Sequence, residues 1–389
     1  MRSIRPLLAA TGLVAALALT ATACGPEEDD AAAKPSAGAT AGHDSGGSLP
    51  DGLADALKKH GVDPEKWKNG EWKNWDKDKW LREAKDFVNP VIEGLWKPER
   101  MKSAKDPAKT MAAGDVTGGQ GVSDPEPEPV QAEREKTPYH DYAAPVGKVF
   151  FDSPEGSMVC SGTVVKDPQN PGKSNLVWTA GHCVHAGSKG GWYRNIVFVP
   201  AYNDKGKSAA ALQNAQPQEV APYGAYWADW ATTSGEWIKD GGPTGGEGAP
   251  YDYAVLHVKP EQGTKSLEET VGNALEVEFD APEATRISAM GAWGYPAAPP
   301  YDGLIMHKCV DRPGRLSISP NTPAMYRIGC TMTGGSSGGG WFVAGRDGKS
   351  VLVSNTSIGP VTSGWLAGPR LGPGAKAAFD ATSKQFAGR

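Results

Sequence analysis

The segment Thr333–Gly340 places two serines inside a run of glycines, TGGSSGGG. Glycine tolerates backbone conformations that a Cβ would obstruct, so such a turn can present a serine hydroxyl to a reactant. A hydroxyl is a weak nucleophile at neutral pH, and a catalytic serine therefore needs a nearby general base and a third group that orients the base. His182 and Asp252 are the candidates for these two roles. The combination predicts a serine hydrolase.

The surroundings of the two partners favour this assignment. His182 lies in the segment Thr179–Cys183, TAGHC, and Asp252 opens the alternating apolar segment DYAVL. Asp204, Asp229 and Asp240 compete with Asp252 as the acid, but none of them opens such a strand. The chain order histidine, aspartate, serine also differs from the orders found in α/β-hydrolases and subtilisins.

These motifs together resemble the trypsin/chymotrypsin-like serine proteases, over residues 140 to 370. The segment CSGTVV at Cys160–Val165 and the segment TAGHC resemble the histidine half of that family. The segment DYAVL resembles its aspartate strand, and Gly335–Gly339, GSSGG, resembles its nucleophile signature. The bacterial secreted V8-like members, the glutamyl endopeptidases, are the most similar in character.

The resemblance implies a role for each residue. Ser337 would attack the scissile carbonyl, His182 would take its proton, and Asp252 would orient the imidazole. The backbone N–H groups of Gly335 and Ser337 would form the oxyanion hole. Ser336 is an alternative nucleophile, but Ser337 would then occupy the place of the glycine that follows the nucleophile.

The same resemblance places the specificity pocket at Thr331, Thr356, Ser357 and Gly359. Ser357 matches a serine that supports the aspartate in this family. Thr331 stands where trypsins carry an aspartate, so nothing predicts a preference for Lys or Arg. Thr356 stands where glutamate-specific relatives carry a histidine, which leaves glutamate specificity in doubt. Ser336 replaces the aspartate of trypsin-like zymogens, so activation through that ion pair is not expected.

Three functions fit the sequence. The first is an exported serine endopeptidase that acts on protein or peptide substrates. A catalytically silent binding protein with a protease fold is an alternative, since fold alone does not establish activity. A serine esterase that uses the same nucleophile is another.

The N-terminus predicts export. Arg2 and Arg5 precede the apolar run Leu7–Leu19, which is too short to span a bilayer as a mature helix. Small residues then precede Cys24. Residues 1–23, followed by this cysteine, resemble a bacterial lipoprotein signal. We expect Cys24 to be lipidated and the protein to be anchored at the cell surface. An ordinary secretory signal, with release of the protein, is the alternative.

The five cysteines agree with an oxidising location. If Cys24 carries lipid, four remain, and four cysteines allow three pairings. Nearness in sequence favours Cys160–Cys183 and Cys309–Cys330. A zinc site at His182, Cys183 and His185 lacks a second cluster to complete four ligands, so we expect no metal and no cofactor.

The net charge of −5 provides no basic field for nucleic acid. Beyond the N-terminal run, no segment approaches membrane-spanning length, so any membrane contact would come only through the lipid at Cys24. We expect a monomer.

Composition divides the chain into further regions. Residues 25–50 are acidic and then rich in Ala, Gly and Ser, which predicts a disordered tether. Residues 51–105 show helical spacing, and we expect a small helical region that serves as a pro-segment or an accessory module. Its tryptophans form either a small core or a ligand-binding stripe: Trp67, Trp72, Trp75, Trp80 and Trp96. Residues 106–137, rich in Pro, Glu and Gly, predict a linker before a protease domain at 138–389.

Short apolar runs after residue 138 predict an all-β domain. No long helical pattern appears there except near residues 376–384, and many short strands without alternating helices favour a barrel or sandwich. The resemblance implies a chymotrypsin-like double β-barrel. The predicted strands are Val146–Phe151, Met158–Val165, Leu176–Thr179, Ile196–Tyr202, Tyr253–Val258, Trp341–Val343 and Val351–Val353.

Overall fold

The computed structural model describes residues 87, 89–107, 110–111, 122–213, 215–242, 245–360, 362 and 364–388. All of these belong to one compact unit, residues 48–389. The predicted signal, Cys24, the tether and the four tryptophans before residue 87 lie outside the described residues.

The described chain before residue 146 has little regular structure. Its elements are α1 (Pro98–Ser103), β1 (Thr110–Met111), β2 (Glu133–Arg134) and α2 (Tyr139–Tyr142). Within residues 87 and 89–107 only α1 is helical, so the part of the predicted helical region that can be described is mostly irregular.

The first half of the domain is a closed six-stranded barrel with the strand order β3-β4-β5-β8-β7-β6. Its strands are β3 (Val146–Ser153), β4 (Gly156–Val165), β5 (Leu176–Thr179), β6 (Arg194–Pro200), β7 (Tyr226–Thr233) and β8 (Ala254–Pro260). The connections contain α3 (Pro217–Val220), α4 (Gly235–Asp240) and 3-10 turns at Gly181–Cys183, Gly187–Lys189 and Gly246–Tyr251.

The second half contains a six-stranded sheet, β2-β11-β10-β14-β15-β9, and a three-stranded sheet, β12-β13-β17. The remaining elements are α5 (Leu267–Val271), β9 (Glu276–Val277), a 3-10 turn at Ala284–Arg286, β10 (Met290–Gly294), β11 (His307–Asp311), β12 (Gly314–Leu316), β13 (Met325–Cys330), β14 (Gly340–Ala344), β15 (Ser350–Asn355), β16 (Gly359–Pro360), β17 (Gly364–Gly368) and α6 (Pro373–Gln385). The disulfide Cys309–Cys330 joins β11 of the larger sheet to β13 of the smaller one.

The central strand β3 shows why the domain forms two layers of core. Val149 and Phe151 belong to the cluster inside the first barrel, whereas Val146 and Phe150 belong to the cluster shared with the second half. Alternate side chains of a strand point to opposite faces, so a strand covered on both faces needs an unbroken apolar run. β3 is therefore covered by an apolar cluster on each of its two faces.

The predicted all-β class is confirmed, with a closed barrel in the first half and two sheets in the second. The seven predicted strands are present, Leu176–Thr179 with the predicted ends and the other six with shifted ends, and α6 covers the helical pattern near residues 376–384. No helix among the described residues has the length and apolar character needed to cross a membrane.

Residues 122–137 belong to the predicted linker but lie against the second half of the domain. Asp124 forms an ion pair with Arg315 at 2.7 Å, and β2 pairs with β11. The attachment uses backbone hydrogen bonds and charged side chains, which leave no apolar pattern in the sequence. This part of the chain is therefore not free of the domain.

Trp96 is buried and donates its indole N–H to the carbonyl of Asn195 at 2.7 Å. It also packs beside Phe150 of β3, with 5.3 Å between ring centroids. For this tryptophan the structure shows the core role that the sequence left open.

Candidate active site

His182 and Asp252 meet because their strands pair. β5 and β8 are antiparallel, with Thr179 opposite Ala254, so the turn after β5 lies beside the residue that precedes β8. The Nδ1 atom of His182 is 2.6 Å from Oδ2 of Asp252, and the backbone N–H of His182 donates to Oδ1 at 2.8 Å. Both side chains are buried. The carboxylate thus holds both the imidazole and the backbone of His182.

The 3-10 turn around His182 is held tightly. The disulfide Cys160–Cys183 ties it to β4. A Cβ at position 181 would lie 2.7 Å from Oγ1 of Thr233 and 2.9 Å from the ring of Trp237, so only glycine fits there. Trp237 also packs 6.0 Å from the imidazole centroid.

Besides His182, two other residues form hydrogen bonds to Asp252. The hydroxyl of Ser357 donates to Oδ2 of Asp252 at 2.6 Å, and the amide of Asn355 donates to the backbone carbonyl of Asp252 at 2.9 Å. Ser357 has the contact that the sequence predicted for it. Asn355 was not predicted, although an amide in the apolar strand β15 was a visible signal.

The turn before Ser337 exposes backbone donors. Gly335 has φ +92°, and a Cβ there would lie 2.7 Å from both the Cβ of Ala297 and the carbonyl oxygen of Tyr295. The carbonyl of Gly334 accepts the N–H of Ala297 at 2.6 Å. The N–H and C=O of a trans peptide point in opposite directions, so the N–H of Gly335 points away from Ala297.

No residue in the described part of the chain accepts a hydrogen bond from the N–H of Gly335 or of Ser337. Buried backbone donors are nearly always paired, so two N–H groups without a described acceptor in one turn indicate a place for an anionic oxygen. This is the arrangement expected of an oxyanion hole.

The hydroxyl of the neighbouring Ser336 already has a hydrogen-bond acceptor in its own turn. Its hydroxyl donates to the carbonyl of Thr333 at 2.7 Å, and the residue is 1% exposed. The contact directs the Ser336 hydroxyl back into its own turn, which favours Ser337 as the nucleophile.

Ser161 of β4 fastens the nucleophile turn to the first barrel. Its N–H donates to the carbonyl of Ser337 at 2.7 Å, and its hydroxyl donates to the carbonyl of Gly335 at 2.9 Å. The N–H of Tyr295 donates to the same hydroxyl at 2.9 Å. Ser161 lies in the CSG motif, yet the sequence did not reveal its role, because the contact joins two distant segments.

Two solved protease structures are similar to this chain. A thermostable serine protease, AL20, from an extremophilic microorganism is 31% identical, with a TM-score of 0.51 over 63% of this chain and 99% of that chain. Anisep, a protease from Arthrobacter nicotinovorans, is 28% identical, with a TM-score of 0.51 over 65% of this chain and 99% of that chain. No protein-family model and no curated protein matches the chain.

The match to AL20 exceeds 30% identity over nearly all of that protein, and the fold is the chymotrypsin one. The chain belongs to the chymotrypsin-like serine protease family. A Glu endopeptidase also matches, at 14% identity and a TM-score of 0.45 over 68% of this chain, which is too distant to bear on specificity.

Two of the predicted pocket residues, Thr331 and Thr356, form hydrogen bonds within the protein. Oγ1 of Thr331 accepts the N–H of Ala132 at 2.9 Å and lies 3.0 Å from the hydroxyl of Tyr301. The buried Thr356 accepts the indole N–H of Trp341 at 2.9 Å. Both threonine hydroxyls are therefore engaged with the protein itself, and the pocket assignment stays a prediction.

The protease also contains other histidine–aspartate pairs. Asp229 lies 2.6 Å from Nδ1 of His257, and Asp204 lies 2.9 Å from Nδ1 of His140. Neither pair is joined by a hydrogen bond to the nucleophile turn in the described structure. His182 instead precedes Cys183, whose disulfide joins it to Cys160 on β4. The next residue of β4, Ser161, is hydrogen-bonded to Ser337, and this favours Asp252 over Asp204 and Asp229.

The chemistry of the cysteines at the histidine turn disfavours a metal site there. Ligand atoms of Cys160, His182 and Cys183 lie within 4.8 Å of one another, but both sulfurs are in a disulfide and are not thiolates. His185 accepts the N–H of Gly187 through Nδ1 at 3.0 Å, and burial lowers its pKa to about 4.

The site is closed to solvent. Ser337 is 5% exposed, and Nε2 of His182 is buried without a hydrogen-bond partner among the described residues. A general base that serves an external substrate must be reachable, so catalysis by His182 would require the site to open.

Proposed function

We propose that this protein is an exported serine endopeptidase that hydrolyses peptide bonds through Ser337, His182 and Asp252. The observation that carries the proposal is the continuous set of hydrogen bonds from Ser357 through Asp252 to His182. It is accompanied by the turn of Ser337, where the N–H groups of Gly335 and Ser337 have no acceptor among the described residues. Family membership supports the same chemistry, since both AL20 and Anisep are named as proteases.

In the proposed reaction, Oγ of Ser337 attacks the carbonyl carbon of the scissile peptide while Nε2 of His182 takes the hydroxyl proton. The tetrahedral oxyanion would be stabilised by the N–H groups of Gly335 and Ser337. Collapse of this intermediate breaks the C–N bond, and His182 gives its proton to the leaving amine. A water molecule activated by the same base would then release the acyl group from Ser337.

Asp252 has an electrostatic task in this scheme. It holds Nδ1 of His182 as the protonated nitrogen, which leaves Nε2 as the proton acceptor, and it stabilises the imidazolium after proton transfer. Hydrogen bonds from Ser357 and from the backbone N–H of His182 keep the carboxylate in place.

The location of the protein is also a proposal. The lipoprotein-type signal and Cys24 predict export and lipid anchoring, and the two disulfides fit an oxidising compartment. Mass spectrometry of the membrane-bound protein would test this: an acyl-modified N-terminal Cys24 is expected, and an unmodified N-terminus at another residue would contradict it. Cys24→Ser should move the protein from the membrane to the soluble fraction.

The catalytic proposal is tested with a fluorophosphonate probe on the purified full chain. The probe reacts irreversibly, so label accumulates even if the site opens only rarely. We expect wild type to be labelled, Ser337→Ala to remain unlabelled, and Ser336→Ala to be labelled as wild type. The Ser336 variant is a matched control, because it removes the adjacent hydroxyl of the same turn.

Other outcomes separate the alternatives. Equal labelling of Ser337→Ala and wild type would reject the nucleophile. Absence of label in every variant, even after prolonged incubation, would favour a silent binding protein. Labelling at Ser337 with turnover of simple esters but no cleavage of denatured proteins would favour an esterase.

A further inference from the structure

A short segment before the first barrel contacts both sides of the nucleophile turn. We call residues 104–107 and 110–111 the strap; residues 108–109 lie outside the described residues. The first contact is with β4, where the N–H of Lys105 donates to the carbonyl of Ser157 at 2.9 Å. In return, the N–H of Val159 donates to the carbonyl of Lys105 at 2.8 Å. Lys105 thus pairs with β4 as an added strand residue.

The far end of the strap pairs with the opposite side of the cleft. β1 (Thr110–Met111) runs parallel to β16, with Thr110 opposite Gly359. Gly359 follows closely after Ser357, the residue that supports Asp252. This contact also consists of main-chain strand pairing, so it does not depend on the identity of the side chains.

Between these two contacts, Asp106 lies against the residue that precedes the oxyanion donor Gly335. A Cβ built on Gly334 would lie 2.0 Å from Oδ2 of Asp106, and its two next-nearest atoms also belong to Asp106. The carboxyl group therefore sits directly on the Cα of Gly334. An added side chain at position 334 would collide with the strap first.

The three contacts surround Ser337. β4 holds the carbonyl of Ser337 through Ser161, Gly334 lies in the nucleophile turn itself, and β16 begins just after Ser357. The described contacts of the strap therefore lie on both halves of the domain. The closed state of the site, with Nε2 of His182 buried, agrees with such an occupant.

We propose that the strap holds this protease latent by occupying its substrate cleft. The inference rests on the proposed function, because a cleft without catalysis has nothing to inhibit. The occupant is a segment of the chain itself, bound mainly by main-chain pairing as an extended peptide is bound at a sheet edge.

Both ends of the connection that contains the strap are anchored. Upstream, Trp96 is buried, Met101 is 4% exposed, and Arg100 pairs with Asp152 at 2.7 Å. Downstream, Asp124 pairs with Arg315. A segment tethered in this way has a high effective concentration at its binding site, so weak pairing suffices to close the cleft.

The strap is also suited to release. A cavity of about 350 Å³ separates its upstream part from Lys148 and from the loop of Ala297 and Asp302–Leu304. Asp106 and Lys105 therefore lack close packing on that flank, and few apolar contacts must be broken when the segment leaves.

The test compares variants of the strap in the full chain by the rate of fluorophosphonate labelling. Lys105→Pro removes the N–H that pairs with Ser157, whereas Lys105→Ala keeps this N–H and removes only the side chain. Asp106→Trp places a side chain over Gly334 that the docked strap cannot accommodate. Both Lys105→Pro and Asp106→Trp alter an irregular surface segment, so the protease domain should fold in each.

We expect Lys105→Pro and Asp106→Trp to be labelled at least about fivefold faster than wild type, since a lost hydrogen bond changes an equilibrium by about this factor. Lys105→Ala should match wild type. Equal rates for all four proteins, with Ser337 labelled, would overturn the strap while leaving the catalytic proposal intact. Cleavage of the strap by Ser337 in purified protein would also overturn it, because the segment would then be a substrate.

A second measurement is independent of catalysis. The amide of Val159 is protected from hydrogen exchange by Lys105 in the docked state. Its exchange should be at least about fivefold faster in Lys105→Pro than in Lys105→Ala. If no protein were labelled, the catalytic proposal would fail, and unchanged exchange at Val159 would reject docking of the strap separately.

Discussion

The hydroxyl of Ser357 and the Nδ1 atom of His182 meet the same carboxylate oxygen, Oδ2 of Asp252, each at 2.6 Å. The oxygen that orients the base therefore also receives a hydrogen bond from the other half of the domain. The position of His182 consequently depends on the end of β15 as well as on the first barrel.

This arrangement predicts the effect of Ser357→Ala. A hydrogen bond to a charged group contributes about 1.5–3 kcal/mol, and each 1.36 kcal/mol changes a rate about tenfold. We therefore expect labelling of Ser337 to slow by about tenfold or more. Ser354→Ala is the control, because Ser354 is equally buried on β15 but, among the described residues, its hydroxyl donates only to a backbone carbonyl, that of Asn355. Equal rates for the two variants would contradict the role of Ser357.

Asp252→Asn should have a larger effect. An amide cannot hold Nδ1 of His182 as the protonated nitrogen, and this change costs on the order of 10⁴-fold in rate in such triads. The labelling rate of the variant measures it. Asp229→Asn removes the same charge from a histidine pair of the same 2.6 Å length, with His257, and should leave the rate unchanged. A comparable loss in both variants would mean that the effect is one of charge or folding.

The parts of the site that lie in short local motifs could be predicted from the sequence. His182, Asp252 and Ser337 each stand in a short segment of recognisable composition, and apolar runs located seven strands. Strands with weak apolar patterns were missed: Tyr226–Thr233, Met290–Gly294 and Gly364–Gly368 contain aspartate or glycine. Glycine in a strand interior weakens the pattern because it provides no side chain to pack.

Contacts between distant segments could not be predicted in the same way. Ser161 reaches the nucleophile turn, and Asn355 reaches Asp252 across 103 positions of sequence. The strap and residues 122–137 bind through main-chain groups and charges, which the sequence pattern does not distinguish from a linker.

Gly335→Ala should abolish most activity. The residue has φ +92°, and an added Cβ would lie 2.7 Å from Ala297 Cβ and the carbonyl of Tyr295, so the turn must shift and displace its N–H. Loss of one oxyanion donor costs about 10²–10³-fold in rate. The labelling rate should fall by at least about 10²-fold.

Gly348→Ala is the matched control for this change. Gly348 also has a left-handed backbone, with φ +78°, but an added Cβ meets no atom within 4 Å. It should lose about 1 kcal/mol of stability and no reactivity. Similar reactivity of the two variants would reject the oxyanion assignment.

The histidine turn should make the protein sensitive to acid. Burial lowers the pKa of His185 to about 4, whereas the unfolded chain has a histidine pKa of about 6.5. Between these pH values the unfolded state binds the proton more readily, so the free energy of unfolding falls as the pH drops from about 6.5 to about 4. Protonation also removes the acceptor for the N–H of Gly187. From pH 7 to pH 4.5, the titration of His185 should lower the free energy of unfolding by an amount on the order of 2 kcal/mol. Urea unfolding at the two pH values measures it: His185→Gln should lose less stability than wild type between them, and an equal loss would show that His185 does not titrate as proposed.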